Sequence, residues 1–152
     1  MATQVATAGA FDPSKDGWVS MEDEGFISLV GPVFEKSVDG ESLFSFVSQP
    51  KHKNLRGVTQ GGMMMTFADR TMGATARSAT GQMPQATVQL NYQFLDAVKL
   101  GDFVVAKCSV LRRTKSLVFV DAKILVGEHC VGAAQGVWKI LAPRQSPEAG
   151  VR

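Results

Sequence analysis

The stretch GGMMMTFADRTMGATARSA, residues 61–79, limits most strongly what this chain can fold into. From Met63 to Ala68 it reads as an apolar helix with a single threonine, and its apolar character fades only near Ala79. A helix that is apolar on nearly every side must be covered on nearly every side. The rest of the chain offers strands for the purpose. ATVQLNYQFL alternates Ala86, Val88, Leu90, Tyr92 and Phe94 against Thr87, Gln89, Asn91 and Gln93. DFVVAKCSVLR, SLVFVDAKILV and CVGAAQGVWKIL follow, parted by short turns such as Arg113-Thr114-Lys115 and Gly127-Glu128. Short links predict antiparallel neighbours among these four strands. Upstream, VFEKSV and ESLFSFVSQ flank Asp39-Gly40, a hairpin signal, and GWVSMEDEGFISLVGP holds a short helix stopped by Gly31-Pro32. The expectation is an α+β fold, a curved antiparallel sheet wrapped around one long helix. One sheet cannot enclose a helix, so a second subunit is expected to close the remainder.

At 152 residues the chain suits one domain, expected over residues 17–141, with a loose arm over 1–16 and a frayed tail over 142–152. The net charge of +2 and the lack of aromatics among the basic residues argue against a nucleic-acid partner. No run reaches membrane-span length and the start lacks a signal pattern, which leaves the cytoplasm as the default compartment. Cys108, Cys130, His52 and His129 share no metal-ligand spacing, so neither a metal nor another cofactor is expected.

Asp69 is the anomaly in this helix. Its neighbours at i±3 and i±4 are Met65, Thr66, Met72 and Gly73, none of them cationic, so no local ion pair accounts for it. At the helix start, Gly61 and Gly62 place amides without internal acceptors beside a backbone that no Cβ obstructs. A carbonyl oxygen could approach these amides, and the helix dipole would favour an oxyanion there. Eight residues separate Gly61 from Asp69, about 12 Å at helical rise. One helix therefore cannot bring both to the same carbonyl, but two helices facing across a two-fold axis can.

HKNLRGVTQGGMMMTFAD resembles the signature of hotdog-fold acyl-CoA thioesterases of the phenylacetate-pathway (PaaI-like) branch, a pattern of Asn, a GT-like pair, His-Gly-Gly, then Asp or Glu on the central helix. ATVQLNYQFLDAVKLGD is similar to the strand that follows, and the resemblance spans residues 17–141. It implies an acyl- or aryl-CoA substrate and a homo-oligomer, a dimer or a dimer of dimers, with sites at the subunit interface. By the same resemblance, Asp69 is the catalytic carboxylate, general base for water or nucleophile on the thioester carbon. Gly61 donates its amide to the thioester carbonyl, with Gly62 beside it. Asn54 orients the acyl group or the water, and Thr87 holds the attacking water.

The chain departs from the pattern at Gln60, where the family carries His. Glutamine donates and accepts hydrogen bonds but does not titrate. That substitution motivates an alternative, a non-catalytic acyl-CoA binding or sensing protein on the same fold. A hotdog dehydratase is disfavoured, because no His lies on or beside the helix. Arg112, Arg113 and Lys115 have two readings, a solvated hairpin turn or a contact with the phosphates of coenzyme A.

Overall fold

Asp39 and Gly40, both at positive φ (51° and 81°), form the two-residue turn that sets the first hairpin. It joins β2 (Phe34–Val38) to β3 (Glu41–Val47) in the computed structural model, which describes residues 11–143. A two-residue strand, β1 (Val19–Ser20), precedes a short helix, α1 (Gly25–Val30). The long helix, α2, runs Gly61–Ser78, and four strands follow: β4 (Gln85–Phe94), β5 (Phe103–Arg113), β6 (Leu117–Val126) and β7 (His129–Ile140).

All seven strands form one antiparallel sheet in the order β1-β2-β3-β5-β6-β7-β4. Its concave face closes on α2. Phe44 and Phe46 of β3, Val104 of β5, Val118, Val120 and Ile124 of β6 and Trp138 of β7 are buried against Phe67, Ala68, Met72 and Ala76. Burying such side chains contributes about 1.5–3 kcal/mol each relative to exposure, and this packing holds α2 to the sheet. The opposite helix face, with Met65, Thr66, Asp69, Arg70 and Gly73, is only half-buried.

Two sequence expectations are corrected here. β4 does not neighbour β5: among the described residues it pairs with β7 alone and forms a sheet edge, while β5 takes β3 and β6 as partners. The link over residues 95–102 can reach that far, because eight extended residues span about 26 Å and three strand spacings about 14 Å. The regular alternation of ATVQLNYQFL also fails. Thr87 pairs with Trp138 and Gln89 with Val137, so Val88 is a bulged extra residue. The bulge turns Thr87 toward the helix, although the alternation assigned it to the other face.

Of the arm expected over 1–16, residues 1–10 lie outside the described part, as do residues 144–152 of the expected tail. Pro13–Asp16 form a 3-10 turn capped by Asp12, and Phe11 packs on Phe103 with ring centroids 4.7 Å apart. Among the described residues no helix is long and apolar enough to cross a membrane.

Candidate active site

Asp69 meets Thr87 across the gap between helix and edge strand. Thr87 Oγ1 donates to Asp69 Oδ1 at 2.7 Å, a charge-assisted hydrogen bond that leaves Oδ2 for another partner. Arg70, next in sequence, is held elsewhere: its Nε lies 2.7 Å from Asp23 Oδ1. Gly73, one turn beyond Asp69, has no room for a side chain that does not press on Trp138, whose Nε1 is 3.3 Å from where a Cβ would stand. Trp138 is the ladder partner of Thr87, so helix and strand meet around this pair.

The second group of residues lies at the helix start. Gln60 is the N-cap, its Oε1 accepting from the Met63 N–H at 3.1 Å. The folded-back side chain explains Gly62, whose Cβ would lie 2.6 Å from Gln60 Oε1. None of the hydrogen bonds among the described residues uses the Gly61 or Gly62 amide. Asn54 Oδ1 accepts from the backbone N–H groups of Arg56 (2.8 Å) and Val58 (3.3 Å), tightening the loop that enters the helix. Its Nδ2 makes none of the described hydrogen bonds, and Asn54 and Gly61 line one cavity of about 420 Å³ with Met64, Tyr92, Phe94 and Val98.

Thus one protomer brings Asp69 to Thr87 and Asn54 to Gly61, two half-sites eight residues apart along the same helix. It does not bring the halves together.

His52 fixes the loop that leads to this helix start. Its Nδ1 accepts from the Gln49 N–H at 2.9 Å, its Nε2–H donates to the Val30 carbonyl at 2.6 Å, and its own carbonyl accepts from the Gln60 N–H at 2.7 Å. Burial pushes its pKa below the usual histidine value, against the hydrogen bond to Val30 and reinforced by Lys51. The neutral ring serves as a structural pin.

Arg112, Arg113 and Lys115 are exposed at the opposite end of α2, where Arg113 Nη1 donates to the Ala79 carbonyl at 3.3 Å. They touch neither half-site of their own protomer. Cys108 and Cys130 are free, half-buried thiols, and burial pushes the Cys108 pKa up. Among the described residues no group of three or more His, Cys, Asp or Glu could hold a metal ion.

Sequence reasoning missed Tyr92 and Phe94 as neighbours of the helix start, seeing them only as the apolar phase of β4. Burial pushes the Tyr92 pKa up to about 12, so the hydroxyl stays protonated. No sequence signal marked them, because the edge position of β4 and the exposure of Phe94 emerge only from the strand order.

Residues 56–132, just over half of the chain, match the model of the Thioesterase superfamily, and the chain belongs to that family. It is a thioester hydrolase with the hotdog fold, one sheet curled about one long helix. A Pseudomonas aeruginosa protein named as a candidate esterase is 28% identical over 116 residues, 75% of this chain and 87% of the relative. Human acyl-coenzyme A thioesterase 13 is 24% identical over 100 residues, covering 66% and 68%. The phenylacetic acid degradation protein PaaI of Thermus thermophilus, solved as a mutant, shares the fold with a TM-score of 0.68 and 15% identity, covering 76% of this chain and 98% of that one.

Proposed function

We propose that this protein hydrolyses an acyl- or aryl-CoA thioester to coenzyme A and a free carboxylic acid, at a site that two subunits complete. The hydrogen bond from Thr87 to Asp69 carries this reading. It orients a carboxylate whose free oxygen can take a proton from water, while the Thr87 oxygen keeps lone pairs to hold that water. Attack on the thioester carbon puts negative charge on the carbonyl oxygen, and the unclaimed Gly61 amide at the helix N-terminus is a donor for it. Collapse of the tetrahedral species expels the coenzyme A thiolate, which is protonated as it leaves. Direct attack by Asp69, through a mixed anhydride that water then opens, uses the same atoms.

The half-sites require a second copy, because about 12 Å of helix separates them. The β4 edge, unpaired on one side and showing Val88, offers a surface for a two-fold contact that sets one protomer's Gly61 opposite the partner's Asp69. Pairs of such dimers would form a tetramer. The name of the human relative supports coenzyme A as the leaving group. Arg112, Arg113 and Lys115 are the groups we assign to its phosphates, which on this reading come from the subunit whose helix end lies nearest. The cytoplasm, where Cys108 and Cys130 stay reduced, is the compartment we assign.

The binding-only alternative rests on Gln60, which cannot relay a proton. Its side chain is spent on the helix cap, a task that needs no titration. One experiment tests both readings: free-thiol release from a panel of fatty acyl-, phenylacetyl- and hydroxybenzoyl-CoA, with calorimetric binding alongside. Turnover that disappears in Asp69→Asn supports hydrolysis; saturable binding without turnover on every thioester supports the binder.

A further inference from the structure

We infer that Phe94 is a positioning residue that holds the Gly61 amide in place, braced from behind by Tyr92 and the bare backbone of Gly132. The inference rests on the reading of Gly61 as the donor to the thioester carbonyl.

Three contacts run in series. Phe94 Cε1 and Cζ lie 3.1 and 3.2 Å from where a Gly61 Cβ would stand, so the ring fills the space a side chain would have taken. Phe94 in turn packs on Tyr92, with centroids 4.5 Å apart and planes at 45°. Tyr92 is 9% exposed, and its hydroxyl occupies the space of a Gly132 Cβ. That hydroxyl is buried with no hydrogen-bond partner among the described residues. Tyr92 is therefore placed by the fit of its ring over Gly132 and not by a polar contact.

Stability alone does not account for Phe94. It is 56% exposed at the end of an edge strand, so burial within its own protomer does not explain a large apolar side chain there. The helix start does need support. Two successive glycines give the backbone more conformational freedom than any other pair, and the Gln60 side chain secures only the Met63 amide. An oxyanion donor must sit within a few tenths of an ångström of its place, and misplacement by about 1 Å costs on the order of 100-fold. A ring pressed against Gly61 restricts the peptide plane from the side that Gln60 leaves open.

The test is steady-state kinetics on whichever thioester the wild-type protein turns over, with circular dichroism melting of each variant. Phe94→Ala is expected to lower kcat about 10- to 100-fold, with KM little changed and the melting temperature held. Phe94→Tyr and Phe94→Trp, which keep an aromatic ring, are expected to recover most of that loss. Gly132→Ala, which pushes Tyr92 from its seat, is expected to lower kcat in the same manner with every residue of β4 left unchanged. A Phe94→Ala protein with unchanged kcat overturns the inference, as does one in which KM alone rises, since Phe94 would then contact substrate. If Asp69→Asn abolishes activity while Phe94→Ala is silent, the inference falls and the hydrolase reading stands. If Phe94→Ala is slow while Asp69→Asn is silent, the prop stands and the role of Asp69 falls. No turnover by the wild-type protein on any thioester overturns both.

Discussion

The two ends of α2 are finished differently. At the C-terminal end the carbonyls are claimed: Ala76 accepts from Thr80 Oγ1 (3.2 Å) and Gln85 Nε2 (3.0 Å), Arg77 accepts from the N–H groups of Thr80 and Gln82, and Ala79 accepts from Arg113. At the N-terminal end only Met63 receives a side-chain cap, and the Gly61 and Gly62 amides are left unclaimed. Unsatisfied helix ends cost stability, and proteins pair them wherever nothing else is required. On the function proposed above, the contrast separates an end built for stability from an end kept open for the thioester carbonyl. The carboxylate lies between them, on the half-buried face.

Substitutions can break or sharpen that contrast, and the largest effect is expected at Asp69. Asp69→Asn keeps the shape and the contact with Thr87 but removes the base, and thiol release should fall about 1,000-fold or more, with no loss of melting temperature. Thr87→Val removes the hydroxyl while keeping a β-branched strand residue, and kcat should fall about 10- to 100-fold in the same assay, since Asp69 then lacks its orienting donor. Gln85→Ala probes the closed end. It strips a partly buried donor from the Ala76 carbonyl, and chemical denaturation should show a loss of about 1–2 kcal/mol while kcat stays at the wild-type value. Gln60→Ala is the mildest: loss of the cap should cost about 1 kcal/mol in the same melts, with Gln60→Asn recovering part of it. If Gln85→Ala proved inactive but stable, the division of labour between the two ends would be wrong.

Much of this arrangement was legible in the sequence because it is local. The apolar run predicted a wrapped helix, the i±4 neighbours isolated Asp69, and Asp39-Gly40 marked its hairpin. What escaped was what depends on distant partners. The neighbours of β4 are set by pairing with residues some fifty positions later, and short-link reasoning placed it beside β5 instead. The bulge at Val88 was invisible to the alternation, which counts residues evenly and so put Thr87 on the wrong face. The family resemblance gave Thr87 the attacking water to hold, and the alternation gave it no role; its direct hydrogen bond to Asp69 came from the structure. Gln60 looked like a lost titratable group. The structure shows a side chain whose hydrogen-bonding capacity, and not its acidity, is used.

The position of β4 also sets an order of events during synthesis. Among the described residues its ladder partner is β7, which ends at Ile140, so Thr87 has no register to settle into until β7 has been made. At about 5–20 residues per second, the helix with its carboxylate precedes the strand that completes it by a few seconds. A chain cut short between β4 and β7 would keep Asp69, both glycines and Thr87 itself, and still lack the strand that seats Thr87.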